Sequence, residues 1–223
     1  MDDNVKELTK KPEIGRKAEP GTGSRARKPQ QIRDAAVRLF LEQGYGAVTM
    51  DTIAREAGVS KATIYAHFPD KAVLFEDLIK EECARQWPTV ALLDEEPGDL
   101  REALGAIGKA YAEFLVSPKV LQTFRMVIAE SPRSPELGRA FYEAGPRRIT
   151  DKLAAYLARA EAQGKLELDD PRLAARQFFS MLRCEHHLRA LTGVETAPPP
   201  AEIARVANGA TEVFLRAYAR STR

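Results

Sequence analysis

The sequence predicts an all-α protein in which a small N-terminal three-helix unit precedes a larger helical unit. Three observations carry this. Apolar residues recur at the three-and-four spacing of a helix from Ile32 almost to the C-terminus. No stretch shows the strict apolar–polar alternation of a half-buried strand, and there is no internal repeat. The periodic segments are punctuated by glycine, proline and helix-capping residues.

Taken in order, residues 1–28 carry no apolar periodicity. They hold Lys10, Lys11, Arg16, Lys17, Arg25, Arg27 and Lys28, broken by Pro12, Pro20, Gly21 and Gly23, and are expected to be a disordered basic tail. The cluster Arg25–Lys28 is either a solubilising end or an arm that touches nucleic acid. Ile32, Ala36, Leu39 and Phe40 form the stripe of a first helix, which Gly44 stops. Further stripes run through Val73, Leu74, Leu78 and Ile79, then Leu100 to Leu115, then Leu121 to Ile128. Pro135 fits the first turn of the next helix. A helix is expected over 146–162, ended by Gly164. Asp170-Pro171 opens another, to about Leu191, and a last one runs from about Glu202 to Ala219. The predicted division is 1–28 tail, 29–79 helix-turn-helix unit and 80–223 helical domain.

Composition excludes several classes. With 44% hydrophobic residues in 223, a packed core is within reach, but the net charge is only +2. An architectural protein that coats nucleic acid needs far more positive charge. Cys83 and Cys184 form neither a disulfide framework nor a zinc-binding spacing. With no long apolar run and no signal-peptide pattern, the expectation is a cytoplasmic protein without membrane association. No phosphate loop, nucleophile elbow or HExxH motif supports an enzyme, so neither catalytic residues nor a cofactor are expected.

The informative run is TMDTIAREAGVSKATIYAHFPDKAVL, residues 49–74. Thr49 is placed to cap a short helix that buries Ile53, Ala54 and Ala57. Gly58 permits a sharp turn, Val59 plugs the angle, and Ser60 caps a second helix. At about 100° per residue, Ile64 and Phe68 of that helix fall together and should face the core. Ala62 and Ala66 centre the opposite face, with Thr63 beside them, Lys61 and Tyr65 on one edge and His67 on the other. Small residues allow a close approach to base edges, and the polar ones donate to phosphates or base acceptors. Asp70 caps the next helix. Lys71 at its start is expected to hold phosphate, so that Lys71→Ala would weaken all DNA binding alike and lower its salt slope by roughly one per subunit.

That run, with the preceding LFLEQGYGAVT, resembles the DNA-binding domain of TetR/AcrR transcription regulators over roughly residues 30–79. The resemblance implies base-edge positions at Lys61, Ala62, Tyr65 and Ala66, and phosphate contacts at Thr63, His67, Lys71 and Thr49. The segment FRMVIAESPRSPELGRAFYEAGPRR (124–148) and LARAEAQGKLELDDPRLAARQF after it are similar to the AefR-like C-terminal domain. This implies a repressor released from double-stranded operator DNA by a small-molecule effector, dimerised through its last two long helices. The alternatives are a ligand-independent or architectural DNA binder, or an enzyme acting on a small molecule. Candidate lining residues of a family-type cavity are Tyr111, Phe114, Phe124, Phe178 and His186, with Trp87 near the end of the linking helix. Arg125 and Arg183 are further candidates that either pair with Glu130 or Glu185 or hold an anionic ligand. Cys184 and His187 share a helix face with His186 next to them, but two ligands are too few for a structural zinc, so no metal is expected.

The apolar residues Ile203, Val206, Ala207, Ala210, Val213, Phe214 and Ala217 exceed what one side of the last helix needs, so a homodimer through a four-helix bundle is expected. The recognition face carries no Arg, Asn or Gln, which predicts sparse direct readout of bases. The remaining specificity would come from DNA shape, half-site spacing, Arg55 or the Arg25–Lys28 arm.

Overall fold

The computed structural model describes residues 23–86, 91, 93–183, 185–196 and 198–220. Its described residues are helical apart from turns, a short 3₁₀ segment and one isolated antiparallel bridge, Leu166 to Ala219. Trp87, Cys184 and residues 1–22 of the basic tail lie outside the described residues.

The first helix, α1 (Gly23–Gln43), starts earlier than the sequence suggested. Residues 23–28 are helical rather than disordered, with Pro29 inside the helix. Alanine, arginine and lysine are strong helix formers, and a proline this near the start removes a donor with few residues ahead of it to lose a bond. Then come α2 (Met50–Glu56), α3 (Lys61–His67) and α4 (Lys71–Gln86). They close on Ile32, Phe40, Tyr45, Ile53, Ile64, Phe68 and Phe75, all buried. The rings of Phe40, Tyr45 and Phe75 meet at centroid distances of 5.3–6.0 Å. Burying each such side chain contributes about 1.5–3 kcal/mol. Arg33 ties α1 to α4 through Asp77 at 2.7 Å and Glu81 at 3.0 Å.

The larger unit comprises α5 (Leu100–Leu115), α6 (Pro118–Glu130), α7 (Pro135–Tyr142), α8 (Arg148–Ala162), α9 (Pro171–Leu182), α10 (Glu185–Leu191) and α11 (Pro200–Tyr218). Its core, including Leu104, Ile107, Tyr111, Leu153, Tyr156, Phe178 and Phe214, is closed by α5 against α11 and α8 against α9.

Three expectations change. The helix anticipated over 146–162 is continuous with α7, because Glu143–Arg147 forms a single wide π turn. Pro146 has no N–H to give, and the wider turn accommodates it within the helix. The helix from Asp170 breaks at Arg183 rather than running to Leu191. The break redirects α10, whose final carbonyls at Ala190 and Leu191 accept from Arg125 at 2.7 and 2.8 Å. Finally, residue 79 is no packing boundary. Val127, Leu137, Ala140 and Ala144 of α6, α7 and the π turn belong to the N-terminal core, since α2 and α3 are too short to cover α4 alone.

On α11, Ile203, Ala207, Ala210 and Phe214 are buried within the chain, whereas Val213 and Ala217 are exposed. Most of the helix's apolar surface is therefore used internally, and less is left for a partner than the sequence suggested.

Candidate DNA-binding surface and cavity

The recognition segment folds as its residue types dictate. The Thr52 N–H donates to Thr49 Oγ1 at 3.1 Å, and the Thr63 N–H donates to Ser60 Oγ at 3.1 Å. Each cap thereby satisfies one orphan donor of a short helix. Gly58 sits at φ +65°, a conformation that strains any residue with a β-carbon. Ile64 and Phe68 are buried, leaving Lys61, Ala62, Tyr65, Ala66 and His67 exposed on the opposite face and Thr63 half-buried beside Ser60. The Lys61 ammonium lies 2.8 Å from Asp51 Oδ2, and that hydrogen bond raises its pKa. One of the ammonium's three donors is taken by this carboxylate, and two are left.

Lys71 differs most from expectation. Its Nζ turns inward and donates to the carbonyls of Tyr45 at 2.7 Å and Val48 at 2.8 Å, 4.1 Å from the Tyr45 ring centre. Burial lowers its pKa, with Glu136 and Glu130 opposing the shift. Two of the ammonium's three donors are thus committed to the loop between α1 and α2. The N-terminus of α4 is already capped by Asp70, whose Oδ1 accepts from the Val73 N–H at 2.8 Å. The Lys71 ammonium is therefore left with one donor for the expected phosphate contact, and the residue also holds the fold.

Where α4 meets the larger unit, a cavity of about 350 Å³ is lined by Tyr111, Phe114, Phe124, Phe141, Ile149 and Arg183, among others. This is the lower end of the usual size range of small-molecule sites. Four of the seven expected lining residues are there. Arg125, Phe178 and His186 are not. Arg125 closes the end of α10 and pairs with neither expected glutamate. Phe178 is fully buried in the core, its ring 5.4 Å from that of Phe214. His186 faces Glu195 at 3.0 Å and Glu202 at 3.8 Å, away from the cavity. His187 Nδ1 lies 3.1 Å from the Leu115 carbonyl, and its ring packs edge-on against Phe124 at 5.3 Å.

Sequence reasoning missed Phe141, Gly145, Pro146, Arg148 and Lys152, which the α7–α8 helix brings to the wall. The Gly-Pro pair within a helical run was the available signal, because a π turn often marks a functional site.

Comparison with known proteins decides the family. The model of the AefR-like transcriptional repressor C-terminal domain matches residues 102–220, and that of bacterial regulatory proteins of the tetR family matches residues 32–78. The chain belongs to the TetR family. Among similar solved structures, the flavonoid-responsive regulator FrrA is 38% identical over 88% of this chain and 100% of its own, with a TM-score of 0.72. A TetR-family regulator from Mesorhizobium loti is 30% identical over 89% and 100% of the two chains, with a TM-score of 0.73. The Bacillus subtilis regulator YvkB is 36% identical over 86 residues, and the match spans only 44% of that protein.

In this TetR-family regulator α6 reaches from the cavity to the DNA-binding unit, and α4 of that unit itself reaches the cavity through Ile79 and Glu82. Val120, Thr123 and Phe124 of α6 line the cavity. Glu130, the last residue of α6, accepts from the Gly46 N–H at 3.1 Å, in the turn between α1 and α2 of the DNA-binding unit. Among the described residues no group of three or more His, Cys, Asp or Glu is placed to hold a metal ion, and no helix is long and apolar enough to cross a membrane.

Proposed function

We propose that the protein is a homodimeric transcriptional repressor that leaves its operator when a small molecule occupies the cavity. The observation that carries this reading is the position of α6, with the cavity at one side and the Glu130 contact to the DNA-binding unit at its end. A ligand that packs against Thr123 and Phe124 favours whichever position of α6 it fits best. It shifts the DNA-binding equilibrium only by its difference in affinity for the two states. That FrrA is described as flavonoid-responsive supports a small-molecule effector here.

On the DNA, Lys61, Ala62, Tyr65 and Ala66 face base edges, and Thr49, Thr63 and His67 reach phosphates. Lys71 pins the α1–α2 loop and offers its third donor to a phosphate. Two-fold pairing through α9 and α11 sets the half-site spacing, with exposed Leu173 and Val213 at the contact.

Selection of bound fragments from random DNA, followed by anisotropy titration, tests the reading. One palindromic site is expected, bound by a dimer and released by a compound found in a thermal-shift screen. A ligand at a hundred times its Kd stabilises the fold by about 2.7 kcal/mol. Binding that ignores sequence, or a subunit that sediments only at 24.7 kDa at micromolar concentration, would overturn it.

A further inference from the structure

The cavity's charges, taken with its rings, narrow the ligand. Its apolar wall is largely aromatic. Tyr111, Phe114, Phe124 and Phe141 all contribute, and the Phe124 and Phe141 rings meet edge to face at 5.0 Å. Such a wall favours a flat π-system, which gains edge-to-face or offset contacts beyond simple burial.

Five charged residues also line it: Glu82, Asp94, Arg148, Lys152 and Arg183. Both carboxylates already hold a lysine. Glu82 pairs with Lys119, and both oxygens of Asp94 lie 2.7 Å from Lys152 Nζ. A cationic ligand would compete with these lysines for the carboxylates. The two guanidiniums have no such partner, since neither Arg148 nor Arg183 forms an ion pair among the described residues. Arg183 is also oriented, because its Nε donates to Tyr111 Oη at 3.2 Å. Tyr111 is buried and packed on Phe179 at 4.5 Å. The guanidinium is thus braced on a rigid phenol, with its Nη groups left to donate to an oxyanion.

We propose that the cavity takes a flat aromatic compound of one or two rings that carries an anionic oxygen, a carboxylate or an ionised phenol. Its rings lie against Phe114, Phe124 and Phe141, and its charged oxygen meets Arg183. This rests on the reading of the cavity as the effector site and names the chemical class that the site accepts. A volume of about 350 Å³ accommodates two fused rings with a substituent.

Calorimetry on the full-length protein near neutral pH tests it with four probes. These are 2-naphthoate, the neutral isostere 2-naphthamide, 4-nitrophenolate and the aliphatic acid decanoate. Naphthoate is expected to bind about tenfold or more tighter than naphthamide, as a charge-assisted hydrogen bond implies. Arg183→Gln should collapse that ratio, Arg183→Lys should restore part of it, and Phe141→Ala should weaken both naphthyl probes alike. Tighter binding of nitrophenolate than of naphthoate would assign the ionised phenol as the preferred source of the charge. The class is wrong if naphthamide matches naphthoate, if decanoate binds tightest, if no probe binds, or if the ratio survives Arg183→Gln in a folded variant. Operator release, measured in parallel, separates the two readings. Naphthoate that binds without releasing DNA upholds the ligand class and overturns the effector role. Release by naphthamide as effective as by naphthoate upholds the effector role and overturns the class.

Discussion

The contact between Gly46 and Glu130 gives a sharp test of how the two units are joined. A β-carbon on Gly46 would stand 2.8 Å from Glu130 Oε2, too close to coexist with it. The obstruction is the end of a flexible side chain, so Gly46→Ala should push the carboxylate off the backbone N–H and change little else. Glu130→Ala removes the same bond from the other side. Hydrogen bonds to charged groups contribute about 1.5–3 kcal/mol, and this one is exposed to water, so about 1 kcal/mol is the expected loss for each variant. The double variant should lose little more than either single one, a coupling of about 1 kcal/mol. Gly44→Ala is the control. Its β-carbon would meet Glu130 Oε1 at 3.1 Å, but Gly44 also sits at φ +81°. Backbone strain of about 1–2 kcal/mol should therefore persist when Glu130 is removed. Urea unfolding of the variants, with operator affinity by anisotropy, reads both effects. For a chain of this size each 1 kcal/mol lowers Tm by about 2–4 °C. Additive losses in Gly46→Ala/Glu130→Ala would refute the contact as a joint between units. So would a Gly44→Ala loss that Glu130→Ala fully rescues.

Two further predictions follow from single side chains. Lys71→Ala strips two loop carbonyls of a cationic donor and should cost about 2–4 kcal/mol of stability, seen as a lower urea midpoint, besides weakening operator and non-specific DNA alike; unchanged stability would return the residue to a purely phosphate-binding role. His187 has its pKa lowered from 6.5, chiefly by burial and further by the Arg183 charge, against the Leu115 carbonyl, which raises it. The unfolded chain then binds the extra proton between 6.5 and the lower folded value, so stability is complete above pH 6.5 and falls as pH drops through that window, levelling below it. Tm measured from about pH 7.5 to 5 should show this fall, and His187→Gln should flatten that part of the profile.

The parts legible in the sequence are those that local chemistry dictates. Thr49, Ser60 and Asp70 cap helices because a short side-chain oxygen before a helix has a nearby N–H to accept from, and each does so. Ile64 and Phe68 fall inward because helical spacing puts them on one face. What the sequence hid depends on distant backbone. The carbonyls that take Lys71 belong to Tyr45 and Val48, and no pattern around residue 71 points to them. Arg125 is drawn to the end of α10 only because the chain breaks at Arg183, where no glycine or proline marks a break. The same break is what gives Arg183 its place on the cavity wall, beside Tyr111. Pro146 shows the converse. A helix breaker by local rules, it stays within a helix by widening one turn, and that turn carries Gly145 and Pro146 to the cavity. The site is built where local propensity and tertiary packing disagree, so the residues that shape it were the hardest to read from the chain alone.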